Sequence, residues 1–136
     1  MSPEQLLGSV DAGDAVLVAD LEAGTGTLTR LGSGAIDVAL IVVEPSPRSI
    51  DVAVRAAAAA RERDAGRLIV VTNRFRPGDD LSTITQALAG VALVIVPDAP
   101  AVVAADRQGV APLDLAPDAP AVQALRSLAD RLAARS

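Results

Sequence analysis

Short, continuous apolar runs alternate along this chain with longer stretches of mixed character. Ala15 to Ala19 (AVLVA) is one such run, closed by Asp20. Ile36 to Val43 (IDVALIVV) is a second, closed by Glu44-Pro45-Ser46-Pro47. Leu68 to Thr72 (LIVVT) and Val91 to Val96 (VALVIV) follow, ending at Asn73 and at Pro97-Asp98. Runs this short, rich in Val and Ile and lacking polar alternation, predict strands buried on both faces. Between them lie helix signals. Residues 2–8 read as a short helix with Ser2 as N-cap. Ser49 to Asp64 contains Ala56 to Ala60, which favour helix and let it pack close to a sheet, with Gly66 as its C-cap. Leu81 to Leu88 is capped by Asp79 or Asp80 and stopped at Gly90. Ala101 to Gln108 is stopped by Gly109. Ala119 to Arg135 has Pro120 in its first turn, and Val122, Leu125, Leu128, Ala129 and Leu132 form one apolar stripe. Leu21 to Gly34, Arg74 to Asp80 and Leu113 to Pro117 read as loops.

Strand and helix in alternation predict an α/β fold. It is expected to be three-layered, with a mostly parallel sheet, helices on both faces and right-handed crossovers. Ligands of such sheets sit at the carboxyl ends of the strands. Here those ends are Asp20-Leu21-Glu22, Glu44-Pro45, Thr72-Asn73 and Pro97-Asp98. The 136 residues contain no internal repeat and no linker, so residues 1–136 are expected to form a single domain.

Composition narrows the chemistry. Apolar residues make up 51% of the chain and mean hydropathy is +0.40. That fits a doubly covered sheet and leaves room for an apolar surface that needs a partner. The net charge is -5, no basic patch is visible, and Phe75 is the only aromatic residue, so no nucleic-acid partner is expected. With no Cys and no His, thiolate and imidazole metal sites and Cys or His catalysis are excluded. A carboxylate magnesium site is still open. All 12 basic residues are Arg, which closes every mechanism that needs this chain's own lysine. Arg30, Arg48, Arg74 and Arg76 lie in loops or near strand ends, where guanidinium suits phosphate, but most of them read first as solvated surface charge. No stretch reaches the ~20 apolar residues of a membrane span. The first ten residues lack the marks of a secretory signal, so the expected location is the cytoplasm.

The strand-end sequences fall in a familiar order: DLEAG (Asp20 to Gly24), IDVALIVVEPSPRSI (Ile36 to Ile50), VVTN (Val70 to Asn73) and VPDAPAVVAADRQGVAPLDLAP (Val96 to Pro117). Taken together they resemble the MinD/ParA superfamily of dimeric P-loop ATPases, and most of all the CooC-type ATPases that serve carbon monoxide dehydrogenase. The resemblance runs from about Ala15 to the end. It implies a cofactor-binding set of Asp20, Gly24, Asn73, Pro97 and Asp98. Asp20 would hold magnesium through water, Gly24 would approach the γ-phosphate, and Asn73 would read the adenine edge. Pro97 and Asp98 would pack around base and ribose. The implied cofactor is ATP or ADP with magnesium.

The departures from that family shape the expectation further. The family's opening strand and its lysine-bearing Gly-rich loop have no counterpart here, and that loop supplies most of the phosphate binding. The fold expected is therefore P-loop NTPase-like without the P-loop strand, a single partial MinD/CooC-like domain. In the family that strand lies between the equivalents of Ala15–Ala19 and Ile36–Val43. Its loss implies a gap, a re-paired sheet or a slot for another chain. The function implied is that of a degenerate relative acting on a protein partner, either a second copy of itself or a P-loop protein, and not an autonomous ATPase. The competing readings are a nucleotide-binding module and a truncated ATPase of metalloenzyme maturation or partitioning.

Overall fold

A computed structural model describes residues 13–21 and 36–134 of the chain. The helix expected at residues 2–8, Gly24 and most of the Leu21–Gly34 stretch lie outside the described residues. Three strands form a parallel sheet: β1 (Val38–Val43), β2 (Arg67–Phe75) and β3 (Ala92–Pro97), in that spatial order. Helix α1 (Pro47–Glu62) crosses from β1 to β2, and α2 (Leu81–Ala87) crosses from β2 to β3. Three helices follow: α3 (Pro100–Gln108), α4 (Pro112–Leu115) and α5 (Pro120–Ala133). The α4 turn occupies part of the segment expected to be a loop.

The sheet separates two cores. On one face Ala39, Ile41 and Val43 of β1 and Val70 of β2 meet Ala53, Ala57 and Ala60 of α1, together with Ile84 and Leu88. Small residues on α1 allow close approach to the sheet, as the Ala-rich run predicts. The start of α1 is fixed by Ser46, whose hydroxyl accepts from the Ser49 amide at 3.3 Å, with Pro47 in the first turn. On the other face Ile69, Val71 and Val96 pack against Ala121 and Leu128 of α5. The expected apolar stripe of α5 is only partly core: Leu125 is 46% exposed, and Ala121 and Ala124 take the inward positions instead.

Coverage by α5 stops short of β1. Val38 reaches that second core, but Leu40 and Val42 on the same face are 39% and 61% exposed. The outer edge of β1 has no strand beside it among the described residues. The largest correction to the sequence reading lies here. Ala15–Ala19, expected to be a buried strand, is irregular backbone, with Val16 76% and Val18 83% exposed. A strand needs a ladder partner, and the described sheet offers this run none.

Candidate functional site

The site is built where the three strands end. Against expectation β2 does not stop at Asn73 but continues to Phe75. Its pairing with β3 is interrupted between Thr72 and Phe75, then resumes with Phe75 opposite Pro97. In the interruption Arg74 takes φ +55°, a left-handed conformation that costs a non-glycine residue roughly 1–2 kcal/mol. The Phe75 carbonyl then accepts the Asp98 amide at 2.8 Å. Bulges re-aim side chains at strand ends, and this one turns two arginines toward the acids that close the neighbouring strands.

Arg74 lies between two carboxylates, with Nη1 3.6 Å from Glu44 Oε1 and Nε 3.7 Å from Asp98 Oδ1. Arg76 Nε donates to Asp98 Oδ2 at 2.9 Å. Glu44 in turn is tied to α1 through its amide, which donates to Ser49 Oγ at 2.9 Å. The cluster therefore links the ends of all three strands. Both guanidinium groups are more than half exposed, so each pair contributes little stability, at most about 1 kcal/mol. The value of the arrangement lies in position. Asn73, Pro97 and Asp98 share this carboxyl edge. Asp20 makes no hydrogen bond or ion pair with them among the described residues. Its neighbour Leu21 packs beside Ile36, Ala56 and Ala59, next to the amino end of β1. Gly24 lies outside the described residues.

This set does not fit a magnesium–triphosphate group. Its two cations already face two carboxylates, and no lysine is available to add positive charge. Among the described residues no three Asp or Glu side chains gather into a metal site. An open cleft of about 480 Å³ lies beside the cluster, between the first turns of α1 and α2, and Asp51 and Asp80 line it. Carboxylates there disfavour an anion. Asp80 is instead the cap of α2, accepting from the Ser82 amide at 2.9 Å and from the Ser82 and Thr83 hydroxyls. Those bonds, the Ser82 hydroxyl first, hold its carboxyl below the ordinary value of 3.8. A depressed folded-state pKa gives stability that is present above the unfolded value and lost as pH falls through the folded one. Asp80→Asn keeps a capping acceptor but removes the titration. The parent is therefore expected to lose thermal stability more steeply than the variant below about pH 4. Parallel acid limbs in the two melting curves would sink the assignment.

Comparison with solved structures places this architecture. The MinD cell division protein of Aquifex aeolicus matches 81% of this chain with a TM-score of 0.63 at 28% identity. The fold is MinD-like. A MinC:MinD cell division protein complex from the same organism gives a TM-score of 0.62 and 32% identity over 74% of this chain. The chain spans under half of each of those proteins, 47% and 44% respectively. No protein-family model matches the sequence, and no curated protein matches it. The likeness established is thus to MinD and its P-loop NTPase-like fold, and neither of these neighbours is a CooC-type ATPase. No helix among the described residues is long and apolar enough to cross a membrane.

The sequence had singled out Arg74 and Arg76 as guanidinium groups suited to phosphate. It missed that Glu44 and Asp98 engage them. The usable signal was an acid closing each outer strand and arginines closing the middle one, which becomes visible only once the strand order is known.

Proposed function

We propose that this chain is a degenerate, P-loop-less relative of MinD/ParA-type ATPases that acts by binding another protein, not as an ATPase working alone. The observation that carries the reading is the outer edge of β1, which has no strand beside it among the described residues. An apolar strand of a parallel sheet, with Leu40 and Val42 uncovered, is a surface that a globular protein normally closes. The neutralised arginine cluster supports the same reading, because phosphate transfer depends on positioned positive charge. A MinC:MinD complex among the structural neighbours supports a protein partner as the kind of ligand. Residues 1–136 would act as one partial domain. Asn73, Pro97 and Asp98 remain the residues on which any retained adenine binding would rest, with Asp20 as the candidate magnesium ligand.

The test is a nucleotide assay on the purified chain. Hydrolysis of Mg-ATP no faster than in buffer is expected. Calorimetric titration with Mg-ATP and Mg-ADP is expected to give no saturable heat at millimolar nucleotide. Turnover by the chain alone would end the proposal. Saturable binding that Asn73→Ala removes would favour a nucleotide-binding module in its place.

A further inference from the structure

The start of α1 sets apolar and acidic residues at helical spacing, so that Pro47, Ile50, Asp51 and Val54 share one face. Across from them α2 brings Asp80 and Thr83. With Pro45 these residues line the open cleft of about 480 Å³ described above, a volume within the roughly 300–1,000 Å³ of ligand sites. Every residue that lines it is among the described residues. Pro45, Pro47, Ile50 and Val54 supply an apolar wall, and Ile50 also packs on the core. Asp51 and Asp80 supply the charge. Helix amino ends ordinarily favour an anion. Here the Ser46 hydroxyl already takes the Ser49 amide, and Asp80 takes the Ser82 amide. What the cleft offers a ligand is chiefly hydrocarbon and negative charge.

We infer that this cleft receives an arginine-bearing segment of a partner protein. The inference rests on the protein-binding reading above and names the chemistry of the partner. Arginine matches both halves of the cleft. Its methylene stem covers the apolar wall while its guanidinium meets the carboxylates. Neither carboxylate is spent. Asp80 accepts through Oδ1 from the Ser82 amide and hydroxyl and through Oδ2 from the Thr83 hydroxyl. A carboxylate has about four acceptor sites, so Oδ2 can take a further donor. Asp51 pairs with Arg55 one turn on, but both side chains are 60% or more exposed. That pair contributes little stability, so an incoming guanidinium can join or displace it. A free polyamine would satisfy the charge alone. A protein segment also brings aliphatic residues beside the arginine to cover Pro45 and Val54, and the apolar wall therefore favours it. The net charge of -5 speeds the approach of a basic partner.

The test is a titration of the full, isotope-labelled chain with a short capped peptide of alternating leucine and arginine, followed by amide resonances. Saturable shifts are expected at Ser49 to Val54 and at Ser82 and Thr83. A peptide with glutamate in place of arginine should give none. Asp51→Asn and Asp80→Asn should each raise the dissociation constant about fivefold, and Asp80→Asn still carries an acceptor to cap α2. Val54→Gln should raise it about threefold by removing apolar contact from the wall. Asp106→Asn, on the exposed surface of α3, removes the same charge away from the cleft and should leave the constant unchanged. Spermidine is titrated alongside as the free polycation. No saturation at millimolar peptide, shifts that fall outside the cleft, an equal loss in Asp106→Asn, or spermidine binding as tightly as the peptide would each overturn the inference. None of these outcomes bears on the nucleotide assay, so loss of this inference and loss of the protein-binding reading are told apart.

Discussion

Gly66→Ala lowers the stability of the folded chain by about 2 kcal/mol, within the range of an overpacked core. The reason is a single close approach. A Cβ at Gly66 meets the Asp37 carbonyl oxygen at 2.6 Å. That oxygen cannot yield cheaply, because it accepts the Arg67 amide at 2.9 Å, while Gly66 itself donates to the Ile36 carbonyl at 3.1 Å. These two bonds start the pairing of β1 with β2 and set its register. Relieving the clash means separating the strands where the ladder begins.

The sign of the effect is informative. The backbone of Gly66 lies outside the left-handed region, so on conformational grounds alone alanine should be favourable by roughly 0.4–1 kcal/mol through the unfolded chain. Gly66 was expected to serve as the C-cap of the preceding helix. In fact α1 ends at Glu62 with Arg63 as its cap, and the glycine is needed for contact instead. Urea denaturation of the two proteins decides the matter. A midpoint that rises or holds in Gly66→Ala would mean that no clash exists and that the approach of the two strands is looser than described.

That mistaken role shows what a sequence can carry. The strands β1, β2 and β3 were legible because Val- and Ile-rich runs are bounded by strong punctuation at Glu44-Pro45, Asn73 and Pro97-Asp98. Local pattern failed wherever a neighbour decides the outcome. AVLVA at Ala15–Ala19 is as apolar as β3, yet it pairs with no strand among the described residues and forms no ladder. The extension of β2 through Asn73 and Arg74 runs against local preference, and a tertiary bond from the Asp98 amide to Phe75 holds it. Leu125 satisfied the helical period, yet it is 46% exposed, while Ala121 and Leu128 of the same helix are buried against the sheet. The same holds at the candidate site. Asn73, Pro97 and Asp98 could be assigned to one edge from strand ends alone. Their engagement with Arg74, Arg76 and Glu44 depends on β2 lying between the other two strands, which no local window contains.

Thr72 sits immediately before that edge, and its replacement by valine should stabilise the chain by about 1–2 kcal/mol. The side chain is fully buried, and its Oγ1 has no hydrogen-bond partner among the described residues. A buried hydroxyl without a partner has lost its water and gained nothing in return. Valine has the same branched shape, keeps the strand preference and removes the polar atom. The neighbours opposite, Val43 and Ile95, are already apolar. Thr72→Ser supplies the contrast, since it keeps the hydroxyl and deletes the methyl group, and should cost about 1 kcal/mol. Valine above the parent and serine below it, in the same thermal or urea experiment, is the signature of an unsatisfied group. Valine below the parent would show that the hydroxyl has a partner in solution. A buried polar atom next to Asn73 that gains nothing from the fold is a cost the chain bears beside its candidate site, so the valine variant should also be taken through the nucleotide titration. Unchanged behaviour there would assign Thr72 to packing alone.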